Sequence, residues 1–336
     1  MNKLRIGIVG CGRISVMHFD AAAVSDMAEL IACCDLKIDR AEEKAEQYSI
    51  KAYADYKEMI SQEELDAVHL CLPHYLHSTV AIYCMEHGVN VITEKPMDID
   101  LESALRAVAV SKKTGKIFGV ISQCRYNPSA QLVKKVIESG RLGKIISARS
   151  VLTWTRSDEY YSQSDWKGTW DKEGGGVVID QAIHSIDLVR WLVDSDVKEV
   201  KCSMANHGHK SVDVEDTAEG FITFENGTTY GFWCMNNYGC DEPIEIRLFC
   251  EGGKVTLDYD NAVIKYNDGT TDEVHKNNKN FKGKDYWGNM HVEQIKNFYV
   301  ACLGKEKLHI DGEEALKTHR LICKLYESGQ MQKYKR

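Results

Sequence analysis

Residues 4–15 read LRIGIVGCGRIS. Leu4, Ile6, Ile8 and Val9 form a short apolar run with the length and β-branched content of a buried strand. Gly10 and Gly12 follow at once, and a helical pattern runs from Arg13 to about Ser25. A glycine pair between a strand and a helix has a physical use. Gly10 permits the tight turn. Gly12 lets the main chain approach a pyrophosphate at the helix N-terminus, where N–H groups and the helix dipole favour an anion. Arg13 and Ile14 open that helix and are expected beside the same anion. Ser15 stands where the third glycine of the fingerprint would be, and a small residue there still permits close helix–strand packing.

The pattern continues outward. ELIACCD ends a second strand in Asp35, where an acidic group can accept both ribose hydroxyls and repel a 2′-phosphate. NAD is therefore expected over NADP. LDAVHLCLP is a third strand, leading through Pro73 into a helix around 76–86 that begins near His77. GVNVITEKP is another, ending at Glu94, Lys95 and Pro96. A helix at about 100–113 and the strand KIFGVIS follow. Strands alternating with helices imply a doubly wound parallel sheet of Rossmann type, whose ligands bind at the carboxyl ends of the strands. Gly10, Gly12, Asp35, Pro73, His77, Glu94 and Lys95 all fall at those ends.

After residue 122 the pattern changes. A helix at 128–139 is followed by strands with partial alternation, from KIISARSVLTW to NAVIKYND, separated by Gly, Asn and Asp turns. The expected architecture is α/β: a Rossmann domain over 1–122, then an α+β domain over 123–336 with a large, mostly antiparallel open sheet. One face of that sheet is expected to be covered by a helix. The other, carrying aromatic and apolar residues, is expected to be buried in a homodimer or homotetramer. Residues 268–285 read as loop, and helices at about 289–303 and 313–328 close the chain.

The covering helix lies in KEGGGVVIDQAIHSIDLVRWL, residues 172–192. Asp180, His184 and Asp187 are spaced i, i+4 and i+7, which places them on one helix face. They suit a catalytic group, a metal site or a solvated face. A metal would need a third ligand, and no HxxxH or HxH pairs with Asp180 and His184, so no metal is expected. His207 and His209 lie on a predicted loop elsewhere.

Composition narrows the class. Net charge is −8, with no block of basic residues, which argues against nucleic acid as a partner. No apolar run is long enough for a membrane span. Twelve cysteines are scattered without CxxC, as in a reduced cytoplasmic protein rather than a disulfide scaffold.

With GCGRIS, CD at 34–35, PHYLH at 73–77, EKP at 94–96, RYNP at 125–128 and GGGVVIDQAIHSIDL at 174–188 in order, the chain resembles the glucose–fructose oxidoreductase/inositol dehydrogenase (Gfo/Idh/MocA) family over essentially its whole length. His74 stands where that family often has Asn. The resemblance implies an NAD(P)-dependent oxidoreductase of sugars, sugar derivatives or cyclitols. Its catalytic lysine falls on Lys95, and its aspartate and histidine on Asp180 and His184, which are expected to meet Lys95.

The residues suit those roles. An imidazole titrates near working pH and can take the hydroxyl proton, while a lysine cation can stabilise a developing alkoxide. Asp180 is expected to bind a substrate hydroxyl and tune the imidazole, Glu94 to orient Lys95, and Asp187 is left undecided. Arg125, Tyr126 and Asn127 are expected near cofactor or substrate. Arg156 and Trp166 are expected in the sugar pocket, from a stretch rich in Trp and Tyr, with Lys167 beside them. Two rival readings remain at the level of sequence. One is a non-catalytic NAD-binding sensor on the same fold. The other is an enzyme that oxidises, rearranges and re-reduces its substrate on tightly bound NAD.

Overall fold

β1 (Leu4–Val9) is apolar on both faces, with Ile6 and Ile8 fully buried, as a central parallel strand covered by helices requires. The computed structural model describes residues 3–258, 260–275 and 290–329. Along the chain follow α1 (Ser15–Ala23), β2 (Ala28–Cys34), α2 (Ile38–Tyr48), β3 (Lys51–Tyr53), α3 (Tyr56–Gln62), β4 (Ala67–Leu70), α4 (His77–Glu86), β5 (Asn90–Thr93), α5 (Leu101–Thr114) and β6 (Phe118–Val120). The six strands pair in parallel in the order β3-β2-β1-β4-β5-β6. The order reverses between β1 and β4, and a crevice for ligand opens beyond the carboxyl ends of strands at such a point.

The second sheet is built from β7 (Ile145–Thr153) to β14, after α6 (Pro128–Glu138). Past β7 come α7 (Asp158–Ser162), α8 (Ile183–Val193), β8 (Val197–Ala205), β9 (Thr217–Phe224), β10 (Thr229–Met235), β11 (Glu245–Cys250), β12 (Gly253–Asp258), β13 (Asn261–Tyr266) and β14 (Thr271–Val274). The order is β14-β13-β12-β11-β7-β10-β9-β8. All pairs are antiparallel except β7 with β10. Alternate residues such as Ile222, Phe232 and Leu248 bury against Val133 of α6 and Ile186 and Val189 of α8. On the opposite face Phe221, Trp233 and Phe249 are exposed. β14 occupies part of the stretch expected to be loop; the rest of 268–285, from residue 276 on, lies outside the described residues.

The chain then adds α9 (His291–Cys302) and α10 (Gly312–Ser328). Two compact units result: Met1–Gln123 with Asn289–His319, and Cys124–Gly288 with Arg320–Arg336. The leading stretch of the first unit ends at Gln123. However, the expected second domain over 123–336 is not one continuous stretch. Ile295, Phe298 and Tyr299 of α9 are fully buried among Leu4, Ile6, Ala22, Ala67 and Ile92, so the apolar face of this helix completes the first core. No helix among the described residues is long and apolar enough to cross a membrane.

Candidate active site

The dinucleotide turn has the geometry its sequence requires. Gly10 sits at φ +95°, and a Cβ there would lie 2.2 Å from the carbonyl oxygen of Cys71. Only glycine fits both the backbone angle and that approach. Over Gly12 nothing lies within 4 Å, so the turn opens into free space at the start of α1. Ser15 is fully buried, and its hydroxyl donates to the Gly12 carbonyl at 2.7 Å. The departure from glycine thus fastens the turn instead of loosening it. Arg13 is exposed and Ile14 half-buried at the mouth of the turn. Asp35, just past β2, accepts the Cys11 N–H at 2.9 Å and the Lys37 N–H at 2.8 Å, which holds its carboxylate beside the glycines. The turn and the placed acid fit a dinucleotide's pyrophosphate and ribose.

Pro73 and Lys95 follow β4 and β5 at the same edge of the sheet. His77 is fully buried, with Nδ1 2.6 Å from the Pro96 carbonyl and Nε2 2.8 Å from that of Leu72. Its ring therefore spans the loops after β4 and β5. Burial lowers its pKa, against the two carbonyls that raise it. Lys95 is half-buried and precedes Pro96 through a cis peptide. Glu94 turns inward, to His18 at 3.1 Å and His291 at 3.0 Å, and accepts the main-chain N–H of Lys95 at 3.2 Å. Its hold on the lysine runs through the backbone.

In the second unit, Asp180 and His184 do not share one regular helix. Asp180 lies in a π-helical turn, Val178–Ala182, that runs directly into α8, where His184 is the second residue. Such turns are wider than α turns and recur at functional sites. Asp180 is buried and accepts from Tyr160 OH at 3.2 Å, Lys167 Nζ at 3.1 Å and Gln181 Nε2 at 2.5 Å. Lys167 also reaches Glu173 at 3.4 Å and lies over the rings of Trp166 at 4.5 Å and Tyr160 at 4.8 Å. Burial alone would lower the Lys167 pKa, but Asp180, Tyr160 and Glu173 hold it well above its ordinary value. One cation between two buried carboxylates neutralises only one of them. Asp180 has the closer contact, and burial raises Glu173 to about 7 against the pull of Lys167.

That shift sets a pH dependence. The folded state keeps the Glu173 proton above the 4.5 at which the group ordinarily ionises. Its stabilising contribution is therefore complete below the unfolded pKa and is lost as pH rises through about 7. Glu173→Gln is expected to raise the thermal midpoint by about 2–5 °C near pH 8.5 and by much less near pH 5. Thermal melts at both pH values check this, and an equal shift at the two would refute it.

The three glycines before the π turn answer to the protein's own interior. A Cβ on Gly176 would lie 1.9 Å from the Glu215 carbonyl oxygen. The Glu215 carboxylate accepts the N–H groups of Gly176 and Val178 at 2.9 and 3.0 Å and the Tyr326 hydroxyl at 2.7 Å. Tyr326 in turn accepts the Ile179 N–H. The turn carrying Asp180 is thus fastened at its start.

Other expected residues fall in different settings. The buried Arg125 guanidinium makes a two-pronged pair with Asp187, at 2.7 and 2.5 Å, which gives Asp187 a structural partner. Asn127 is buried and Tyr126 half-buried at the start of α6. Arg156 pairs with Asp241 at 3.1 Å and lies 5.4 Å from the centre of the Tyr160 ring. The ring of His209 lies between Asp216 and the Arg156 carbonyl. The sequence reading missed the embrace of Asp180 by Lys167, Tyr160 and Gln181, the pairing of Lys167 with Glu173, and the roles of Glu215, Tyr326, His18 and His291. The only available signal was the density of opposite charge around residues 158–173.

Comparison with known proteins agrees with this geometry. Residues 4–122 match the oxidoreductase family with NAD-binding Rossmann fold, and residues 130–256 match the GFO/IDH/MocA C-terminal domain. Together these span well over half of the chain, which belongs to the Gfo/Idh/MocA family of NAD-binding oxidoreductases. It is 29% identical to myo-inositol 2-dehydrogenase of Thermotoga maritima over 271 residues, 75% of this chain and 77% of that one. It is 25% identical to D-glucoside 3-dehydrogenase of Escherichia coli over 350 residues, covering 98% and 96%. The WlbA dehydrogenase of Bordetella pertussis, solved with NADH and UDP-GlcNAcA, superposes with a TM-score of 0.85 at 29% identity, covering 98% and 97%.

Proposed function

We propose that this enzyme transfers hydride between NAD and a secondary hydroxyl, or the matching ketone, of a sugar, sugar derivative or cyclitol. The observation that carries the reading is the Asp180 carboxylate, fixed by three donors in a π turn that leads into His184. Gly10, Gly12 and Asp35 hold the cofactor, with Arg13, Ile14, Pro73 and His77 around them. NAD supplies the hydride acceptor. His184 takes the hydroxyl proton, as an imidazole can near neutral pH. Lys95 donates to the reacting oxygen and stabilises the charge that develops there. Asp180 accepts from a substrate hydroxyl while Lys167 balances its charge. The ring faces of Trp166 and Tyr160 suit the C–H surface of a sugar, and Arg156 its polar edge. The relatives named for inositol, glucoside and a nucleotide sugar support this substrate class.

Phe221, Trp233 and Phe249 on the open sheet face support a homodimer or homotetramer with that face covered by a second copy.

The test is reduction of NAD against a panel of inositols, free sugars, glycosides and nucleotide-linked uronic acids. Turnover of at least one class is expected. Tight NAD binding with no turnover, and with no altered product by mass spectrometry, would replace the enzyme reading with that of a sensor. An altered product without net NAD reduction would mark an internal oxidise–rearrange–reduce cycle.

A further inference from the structure

Inside the first unit five polar side chains form one buried row. Tyr299 OH lies 3.1 Å from His69 Nε2, and His69 Nδ1 lies 3.1 Å from His18 Nδ1. His18 Nε2 lies 3.1 Å and His291 Nε2 3.0 Å from the same Glu94 oxygen, Oε1. The row joins α1, β4, the end of β5 and α9, and each side chain in it is buried. Burial lowers the pKa of His18 and lowers that of His69 strongly. Burial works to raise Glu94, but the bonds from His18 and His291 hold it well below the carboxylate range.

An ionised carboxylate only accepts, so both Nε2 atoms facing it must carry protons. His18, when neutral, then has a bare Nδ1 and must accept from His69 Nδ1–H. His69 in turn has a bare Nε2 and must accept from the Tyr299 hydroxyl. Every bond in the row then has one donor and one acceptor, and all of them run toward Glu94. The other Glu94 oxygen, Oε2, accepts the Lys95 main-chain N–H at 3.2 Å.

Resting on the proposed role of Lys95, we propose that Glu94 is a positioning residue: through His18 and His291 it ties the strand end that carries Lys95 to the dinucleotide helix α1 and to α9. The row explains why a buried carboxylate sits one residue before the lysine. It also explains a histidine in the first turn of α1, directly after the dinucleotide turn. The ligand atoms of His18, Glu94 and His291 lie within 4.8 Å of one another, a spacing that would also suit a metal ion. The directed hydrogen bonds satisfy the same atoms without one.

Two measurements on the full-length protein test this. In protein labelled with nitrogen-15 histidine, long-range proton–nitrogen spectra near pH 7.5 are expected to show neutral rings at His18 and His69. His18 and His291 should carry the proton on Nε2 and His69 on Nδ1, each assigned by a single His→Gln substitution. The opposite tautomer at His69, or stoichiometric zinc by elemental analysis, would overturn the row. Glu94→Gln is expected to lower kcat at least about tenfold, with NAD affinity and substrate KM within about threefold. Unchanged kcat, or NAD affinity falling in step with kcat, would overturn the positioning role. If that variant does not fold, His291→Gln reads the same split with a smaller loss, because one of the two bonds remains. Lys95→Ala separates the two failures. If it is silent while Glu94→Gln is fully active, only the positioning role falls. If Lys95→Ala is active, the proposed chemistry itself falls.

Discussion

Replacing Lys95 by alanine is expected to lower turnover about 10³-fold while NAD affinity stays within about threefold. Lys95 follows β5 at the carboxyl edge of the sheet, one strand from the reversal between β1 and β4. In the proposed reaction a cation there meets the reacting oxygen, and the main chain at Gly10–Gly12 would hold the pyrophosphate. Stabilising charge that exists only in the transition state affects kcat and not ground-state binding. His184→Ala should act alike, by about 10²–10⁴-fold, because it removes the proposed proton acceptor. Steady-state rates on the substrate found in the panel, beside NAD titration by fluorescence, check both. A variant that keeps wild-type turnover would remove that residue from the mechanism.

Gly10→Ala is expected to weaken NAD binding by about 100-fold or more, or to unfold the first unit outright. Two penalties coincide at this position. A φ of +95° is strained for any side chain, and the new Cβ would lie 2.2 Å from a backbone carbonyl that no side-chain rotation can move. Relief requires the strand ends of β1 and β4 to part, and they frame the turn. NAD titration together with a thermal melt separates the two outcomes. Wild-type affinity in a folded Gly10→Ala protein would show that the turn does not hold the cofactor.

The parallel sheet was legible in sequence because its strands are nearly continuous apolar runs, and because the residues expected to bind ligand all fall where those runs stop. α2, β3 and α3 were not legible. In α2 the buried residues are only Ala41 and Ala45, too small to mark an apolar stripe among its charges. The position of α9 was hidden for another reason. An amphipathic helix shows which face it buries, but not which core receives it. In the second unit the spacing of Asp180 and His184 predicts one regular helix face, and the structure instead puts Asp180 in a π turn before α8. The π turn was not legible, since one extra residue in a turn leaves no mark in composition. Lys167 reads as a residue beside the sugar pocket and Glu173 carries no reading at all, because a buried ion cluster and a wet loop use the same residue types. Only tertiary packing separates them.

The two-part first unit also has a consequence for biosynthesis. Ile295, Phe298 and Tyr299 complete the core around Leu4, Ile6 and Ile92, while Leu321, Ile322 and Leu325 complete the other core. On the ribosome the amino-terminal sheet must wait, its apolar side incompletely covered, until α9 (His291–Cys302) has been made, long after β6 (Phe118–Val120). Nascent chains of this kind depend on whatever shields that surface in the interval. A chain stopped before α9 lacks the closing apolar residues of both cores at once, so one such stop codon is expected to leave neither unit able to fold.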